Sequence, residues 1–242
     1  MHHPISAVEP ALDVAEYVRA TEKAGKVKRV LVTGFEPFDE ESLNPSWEAA
    51  RRLDGWQCAD HIVAARCLPC VFGAVREELT RALATLSPEI VIAIGLAGGR
   101  PEIALERVAI NISDARIPDN SGAQPIDEPV VAGGPPAYFT TLPVKAILQR
   151  LRSAGLPAQV SNTAGTFVCN YAFYVLQHLA ATSCPAVRRA GFIHIPWLPE
   201  QAARHPGTPS LGLETVLAAL RIAIQTSIEA DTDIRLAAGA LH

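Results

Sequence analysis

Short apolar runs recur along this chain between stretches of helical spacing, and that alternation constrains its fold more than any other feature. Val30-Leu31-Val32, Ile62 to Leu68, Ile90 to Ile94, Ala158 to Ser161 and Ala190 to Ile195 are each only a few residues long. Runs of that length, rich in β-branched residues and bounded by Gly, Pro or Asn, read as buried strands. Pro45 to Leu53 reads as a helix, with Asn44 as N-cap and Pro45 at the first helical position. Val71 to Leu86 carries apolar residues at Val75, Leu79, Ala82, Leu83 and Leu86, one face of a helix. Leu142 to Ala154 (closed by Gly155), Phe167 to Ala181 and Leu211 to Ala230 read as further helices. Strands separated by helices imply a mainly parallel sheet covered on both faces.

Val108 to Ile112 reads as another strand, and residues 113–139 form a long stretch rich in Pro, Gly and Asp. An ordered loop of that length inside a compact domain usually has a function. No repeat or linker divides the chain from Lys28 to His242, so it reads as one domain. Residues 1–27 read as an N-terminal extension, with a short helix from Pro10 to Gly25. Ligands of such sheets bind beyond the carboxyl ends of strands. The loops expected there carry Gly34-Phe35, Gly95 to Gly99, Asn162 to Gly165 and Pro196 to Glu200.

Composition narrows the function classes. Hydrophobic residues are 49% and charged residues 19%, which excludes general disorder. Lys and Arg number 21 against 25 Asp and Glu, so a broad electrostatic grip on nucleic acid is not expected. No apolar run reaches the roughly 18 residues of a membrane span, and the N-terminus lacks a basic start followed by an apolar stretch. Five cysteines form no regular framework, which reads as free thiols in a cytoplasmic, reducing setting.

Three residues stand out chemically. Cys169 lies near the start of a helix, where unpaired N–H groups favour a thiolate, although a buried structural thiol would look the same. His194 sits in an apolar strand and needs polar partners there, as a base or as a satisfied core residue. Glu106 either orients a histidine or pairs at the surface with Arg107 or Arg100. Cys67 and Cys70 have CxxC spacing but no second ligand pair. Gly95 to Arg100 lacks both phosphate-loop patterns and reads as a tight turn beside a site. The remaining histidines form no metal-binding pattern, so no metal is expected.

Four stretches together resemble the pyroglutamyl peptidase I (pyrrolidone-carboxylate peptidase) family of cysteine peptidases. They are Val30 to Phe38 with Asn44-Pro45-Ser46; Gly95 to Arg100 leading to Glu106-Arg107-Val108-Ala109-Ile110-Asn111; Asp114 to Asn120 with Asp127-Glu128-Pro129; and Ser161 to Asn170 followed by Gly191 to Pro196 and Pro199 to Gln201. They span most of residues 28–229 in the family's order. The resemblance implies an α/β/α sandwich with a mostly parallel mixed central sheet, usually assembled as a homo-oligomer (dimer or tetramer). It implies removal of N-terminal 5-oxoproline from peptides, with no metal or organic cofactor. It places a catalytic triad on Cys169, His194 and Glu106, and oxyanion donors on the backbone N–H groups of Cys169 and Arg116. It lines the substrate pocket with Phe35, Phe38, Ile117 and Val168, with Asn44 near the ring.

The chain departs from that pattern in three places. Many members carry Gly-Gly where Asp39-Glu40-Glu41 begins, some carry Gln at Leu96, and compact members lack residues 1–27. The first departure implies an altered loop path. The alternatives to a peptidase are a silent relative that only binds pyroglutamyl peptides, and a phosphorylase or nucleotide binder on a similar sheet.

Overall fold

The computed structural model describes residues 27–239; the expected Pro10 to Gly25 helix lies outside them. In chain order the elements are β1 (Lys28–Phe35), α1 (Pro45–Leu53), β2 (Gln57–Cys58), β3 (His61–Leu68), α2 (Phe72–Leu86), β4 (Ile90–Leu96), β5 (Ile103–Glu106), β6 (Val108–Ile110), β7 (Ala137–Phe139), α3 (Val144–Ser153), β8 (Ala158–Ser161), α4 (Val168–Thr182), β9 (Arg189–Ile195), α5 (Pro199–Ala202) and α6 (Leu213–Glu229). A seven-stranded sheet runs in the order β2-β3-β1-β4-β9-β5-β8, and β6 and β7 form a separate two-stranded ladder.

The core of the sheet is parallel, as expected: β3, β1, β4 and β9 pair in one direction. The mixed character comes from two places. β2 folds back antiparallel on β3, and β5 pairs antiparallel with β9 while lying parallel to β8. β8 therefore runs against β9. The Asn162 to Gly165 turn does not leave the sheet at the edge shared by β1, β4 and β9, which corrects the expectation that all four loops share one edge.

Alternation along the strands sorts the core into two halves. Val30, Val32, Ile92, Ile94, Ile103, Leu105 and Ile193 face one way and pack under α1, α3 and α6. Leu31, Val91, Ala93 and Phe192 face the other way and pack under α2 and α4. Each fully buried Leu, Ile or Phe stabilises the fold by about 1.5–3 kcal/mol, so a central sheet buried on both faces is rigid. The α1 boundaries match the sequence reading because the caps are local: Asn44 Oδ1 accepts from Ser46 N at 3.0 Å, and Pro45 opens the helix. Gly34 is where α1 meets the sheet. A methyl group there would lie 2.4 Å from the Ser46 backbone, and the Phe35 N–H donates to Ser46 Oγ at 2.9 Å.

Candidate active site

Strand register brings the chemistry together. Gly95 on β4 and Ala104 on β5 both pair with His194 on β9, and Glu106 pairs with Phe192. Residues in register share a face, and residues two apart along a strand do so as well. Gly95, Ala104, Glu106, Phe192 and His194 therefore all lie on the face covered by α4, the helix that carries Cys169 as its second residue. Gly95 makes the space for the thiol. A methyl group there would lie 2.8 Å from Cys169 Sγ and 2.7 Å from the Phe192 ring. Gly95→Ala is expected to lower kcat/KM by about 10²-fold through displacement of Sγ, and to cost about 1–3 kcal/mol in overpacking. Initial rates and thermal melts check both, and an unchanged rate would show that the thiol tolerates the intrusion.

The Glu106 carboxylate is completely buried, not part of a surface pair. Its Oε1 accepts from His194 Nδ1 at 2.8 Å and from Arg100 Nη1 at 2.6 Å. Because a carboxylate oxygen only accepts, the proton of the neutral imidazole sits on Nδ1 and the lone pair on Nε2. His194 is buried as well, against the Phe192 ring at 4.8 Å between centroids. The desolvation expected of a histidine in an apolar strand is thus met by one carboxylate.

Cys169 is half-buried. Burial pushes its thiol well above the ordinary range; Cys70 and Glu106 push the same way, and Arg100 opposes them. Burial thus works against the thiolate that the helix terminus favours, so a base is needed to take the proton. The N–H of Cys169, in the first turn of α4, has no intrahelical acceptor and is available to an oxyanion. Arg116 lies in the long loop. There Asp114 N donates to Thr166 O at 3.0 Å, Thr166 Oγ1 returns a bond to Asp114 O at 2.7 Å, and Ala115 N donates to Pro125 O. These ties hold the Arg116 backbone beside the entry to α4, with its side chain exposed.

The other thiols are raised in the same way: burial, with Glu36 second, pushes Cys67 up to about 11 and Cys70 up to about 12. What sets Cys169 apart is its place against Gly95, which is in register with His194. Among the described residues no group of three or more His, Cys, Asp or Glu could hold a metal ion.

The expected pocket residues divide by burial. Phe35 and Val168 are nearly inaccessible parts of the core, whereas Phe38 and Ile117 are half-buried. Phe38 packs on Phe167, the N-cap residue of α4, at 6.3 Å between centroids, and Phe72 meets Phe167 edge-on at 5.5 Å. Phe167 was not expected as a wall, although its place beside Val168 and Cys169 was a signal for it. The Asn44 side chain is committed to its loop: Oδ1 accepts from Ser46 N and Oγ, and Nδ2 donates to Glu36 O. Glu36 Oε1 in turn accepts from Cys70 N at 3.0 Å and Asn120 Nδ2 at 2.9 Å. This one carboxylate joins the loops after β1 and β3 to the long loop.

Residues 28–230 match the family model described as pyroglutamyl peptidase. The chain belongs to that family. The pyrrolidone-carboxylate peptidase of Cupriavidus taiwanensis is 58% identical over 213 residues, covering 88% of this chain and 99% of the relative. That of Chromobacterium violaceum is 58% identical over 216 residues, covering 89% of this chain and 100% of the relative. The crystal structure of pyroglutamyl peptidase I from Bacillus amyloliquefaciens shares the fold at a TM-score of 0.85 and 45% identity, covering 88% of this chain and 100% of that one.

Against the pyroglutamyl peptidase pattern, the Asp39-Glu40 departure is resolved by strain. Asp39 and Glu40 adopt φ of 53° and 62°, so the backbone keeps a glycine-like turn without glycine. Glu41 then latches the loop to the segment after β9. It accepts from Gln201 Nε2 at 2.8 Å, Arg204 Nη2 at 2.6 Å and His205 Nε2 at 2.8 Å. The Gln201 bond, aided by His205 and Arg204 and opposed by partial burial, holds the Glu41 carboxyl below its ordinary range. A left-handed non-Gly residue costs about 1–2 kcal/mol, against about 0.5–1 kcal/mol for glycine's extra chain entropy. Glu40→Gly is therefore expected to raise Tm by roughly 2–4 °C per kcal/mol gained, as a thermal melt would show. A lower melting temperature would show that Glu40 makes a compensating contact.

Proposed function

We propose that this protein is a cysteine exopeptidase that hydrolyses the amide bond after an N-terminal pyroglutamyl residue, through a thioester acyl-enzyme. Membership of the pyroglutamyl peptidase family carries the reading, and the gathering of Cys169, His194 and Glu106 on one face of the sheet supports it.

In this reading Cys169 Sγ attacks the pyroglutamyl carbonyl carbon as its proton passes to His194 Nε2. The carbonyl π pair moves to oxygen, which the N–H groups of Cys169 and Arg116 receive. The C–N bond then breaks, and the leaving amine takes the proton from His194. Water attacks the thioester, gives its proton to His194, and frees pyroglutamate and the thiol. Glu106 stabilises the imidazolium formed in both halves, as the third group of a triad does. Burial keeps the Cys169 thiol protonated, which suits proton transfer during attack, because a preformed thiolate would be desolvated at a cost.

Phe38, Ile117 and Phe167 are proposed as the accessible pocket walls, over a floor of Phe35 and Val168. Asn44 is assigned to hold the loop that carries Phe38, with one amide N–H left for the lactam. An apolar pocket accepts a flat, neutral lactam and rejects a free α-ammonium, which would lose its hydration there. The domain is placed at 28–242 with residues 1–27 as an extension. Action on peptides in the cytoplasm, assembly as a homo-oligomer and independence of cofactors belong to the same proposal. The exposed apolar Ile126 and Phe139 suit assembly. No described helix is long and apolar enough to cross a membrane.

The test is chromophore release from a pyroglutamyl anilide in reducing, metal-free buffer, with a prolyl anilide as control. Turnover confined to the pyroglutamyl substrate is expected. Absence of turnover by folded protein that still binds a pyroglutamyl peptide would overturn the peptidase reading in favour of a silent binder.

A further inference from the structure

We propose that Arg100 is a positioning residue for this reaction, clamping the Glu106 carboxylate on the oxygen it shares with His194 and tying it to the turn that delivers Cys169. The inference rests on reading Cys169, His194 and Glu106 as the triad. Arg100 closes the turn after β4 through its own N–H, which donates to Ala97 O at 3.0 Å. Its guanidinium then reaches three groups: Nη1 donates to Glu106 Oε1 at 2.6 Å and to Ser161 Oγ at 3.1 Å, and Nη2 donates to Thr163 O at 2.9 Å. Ser161 Oγ also bonds Thr163 O at 3.0 Å, so the turn is braced on both sides.

The geometry assigns Arg100 two tasks. The first is charge compensation. Glu106 is fully buried, its Oε2 has no hydrogen-bond partner among the described residues, and the neutral imidazole brings no charge. A buried carboxylate without a cation is strongly disfavoured. A planar guanidinium supplies the charge in a fixed direction. The second task is aim. With one site of Oε1 taken by Arg100, the carboxylate cannot swing away when Nδ1–H becomes part of an imidazolium. The same residue spans to Thr163, only six positions before the nucleophile in the chain, so acid and thiol are located by one side chain.

The ionisable groups that bear on this cluster are Cys169 on α4, His194 on β9, Glu106 on β5 and Cys70 after β3. Burial dominates the Cys169 ionisation, and Arg100 is the cation that opposes it. Because the thiol is protonated until attack, the acid limb of the pH profile reports protonation of the base that accepts its proton. Removing the cation from Glu106 Oε1 leaves that carboxylate freer to hold an imidazolium, so the acid limb moves to higher pH.

The experiment measures kcat and KM for the pyroglutamyl anilide against pH in wild type, Arg100→Gln, Arg100→Lys, Glu106→Gln and the Arg100→Gln/Glu106→Gln double variant, with thermal melts of each. Arg100→Gln is expected to lose about 10²-fold in kcat with little change in KM, and to move the acid limb upward. Arg100→Lys should return the acid limb toward wild type while recovering kcat only in part, since an ammonium cannot bridge both partners. In the Glu106→Gln background, Arg100→Gln should cost far less than it does alone. An unmoved acid limb, with the same factor lost in both backgrounds, overturns the proposal and leaves Arg100 a structural residue. If Arg100→Gln does not fold, Arg100→Lys and its cycle with Glu106→Gln decide in the same way. Wild-type activity in Glu106→Gln itself would overturn the triad reading instead.

Discussion

Replacing Cys169 by serine is expected to lower pyroglutamyl anilide hydrolysis by at least about 10³-fold, because the nucleophile of a cooperating group is removed. The side chain changes little in size, so the space opened by Gly95 and the packing under α4 are kept. What changes is the acidity of the attacking group. Burial already pushes the Cys169 thiol upward, and a hydroxyl in the same place is far harder to deprotonate. A histidine matched to a thiol does not compensate for that difference. Steady-state rates, with a melt showing that the variant is folded, check the prediction. A serine variant within tenfold of wild type would remove Cys169 from the mechanism, and the other four cysteines would then need testing in turn.

Glu106→Gln is expected to lower kcat by roughly 10³–10⁴-fold with the fold retained. The amide oxygen can take the place of Oε1 and still accept from His194 and Arg100. The amide nitrogen then occupies the place of Oε2, which has no hydrogen-bond partner among the described residues. The negative charge facing the imidazolium is lost, so the proton transfers at His194 become unfavourable in both halves of the reaction. Arg100 is left without its counter-ion, but its side chain is 27% exposed, so water shares the cost. A kcat within a few-fold of wild type would show that Glu106 only fills space.

Much of the layout was legible before the structure. The parallel strands and α1 to α4 were read from apolar period and caps, which are local signals. Pro45–Leu53 was read to the residue because Asn44 and Pro45 mark its start. Strand β1 runs through Gly34 and Phe35, where a loop was expected, because Gly34 there serves close packing on Ser46 rather than a turn. Strand β5 was missed. Ile103–Glu106 is four residues long, and its alternation ends in a carboxylate that suggests a surface. The long loop also holds β7, whose pairing with β6 joins segments far apart in the chain.

By resemblance the sequence carries Cys169, His194 and Glu106 in the family's order, and local signals put Cys169 and His194 at element ends on an α/β framework, whereas Glu106 falls in a segment with no local element signal. Whether Glu106 was a surface partner of Arg100 or a buried partner of His194 depended on β5 entering the sheet antiparallel beside β9. That pairing brings together segments with 88 positions between Glu106 and His194. No local pattern encodes such a register, because it is selected by the burial of whole faces. The tertiary structure resolved the alternatives into one network: Arg100 bonds the very oxygen that holds His194, and Gly95 leaves room for the thiol.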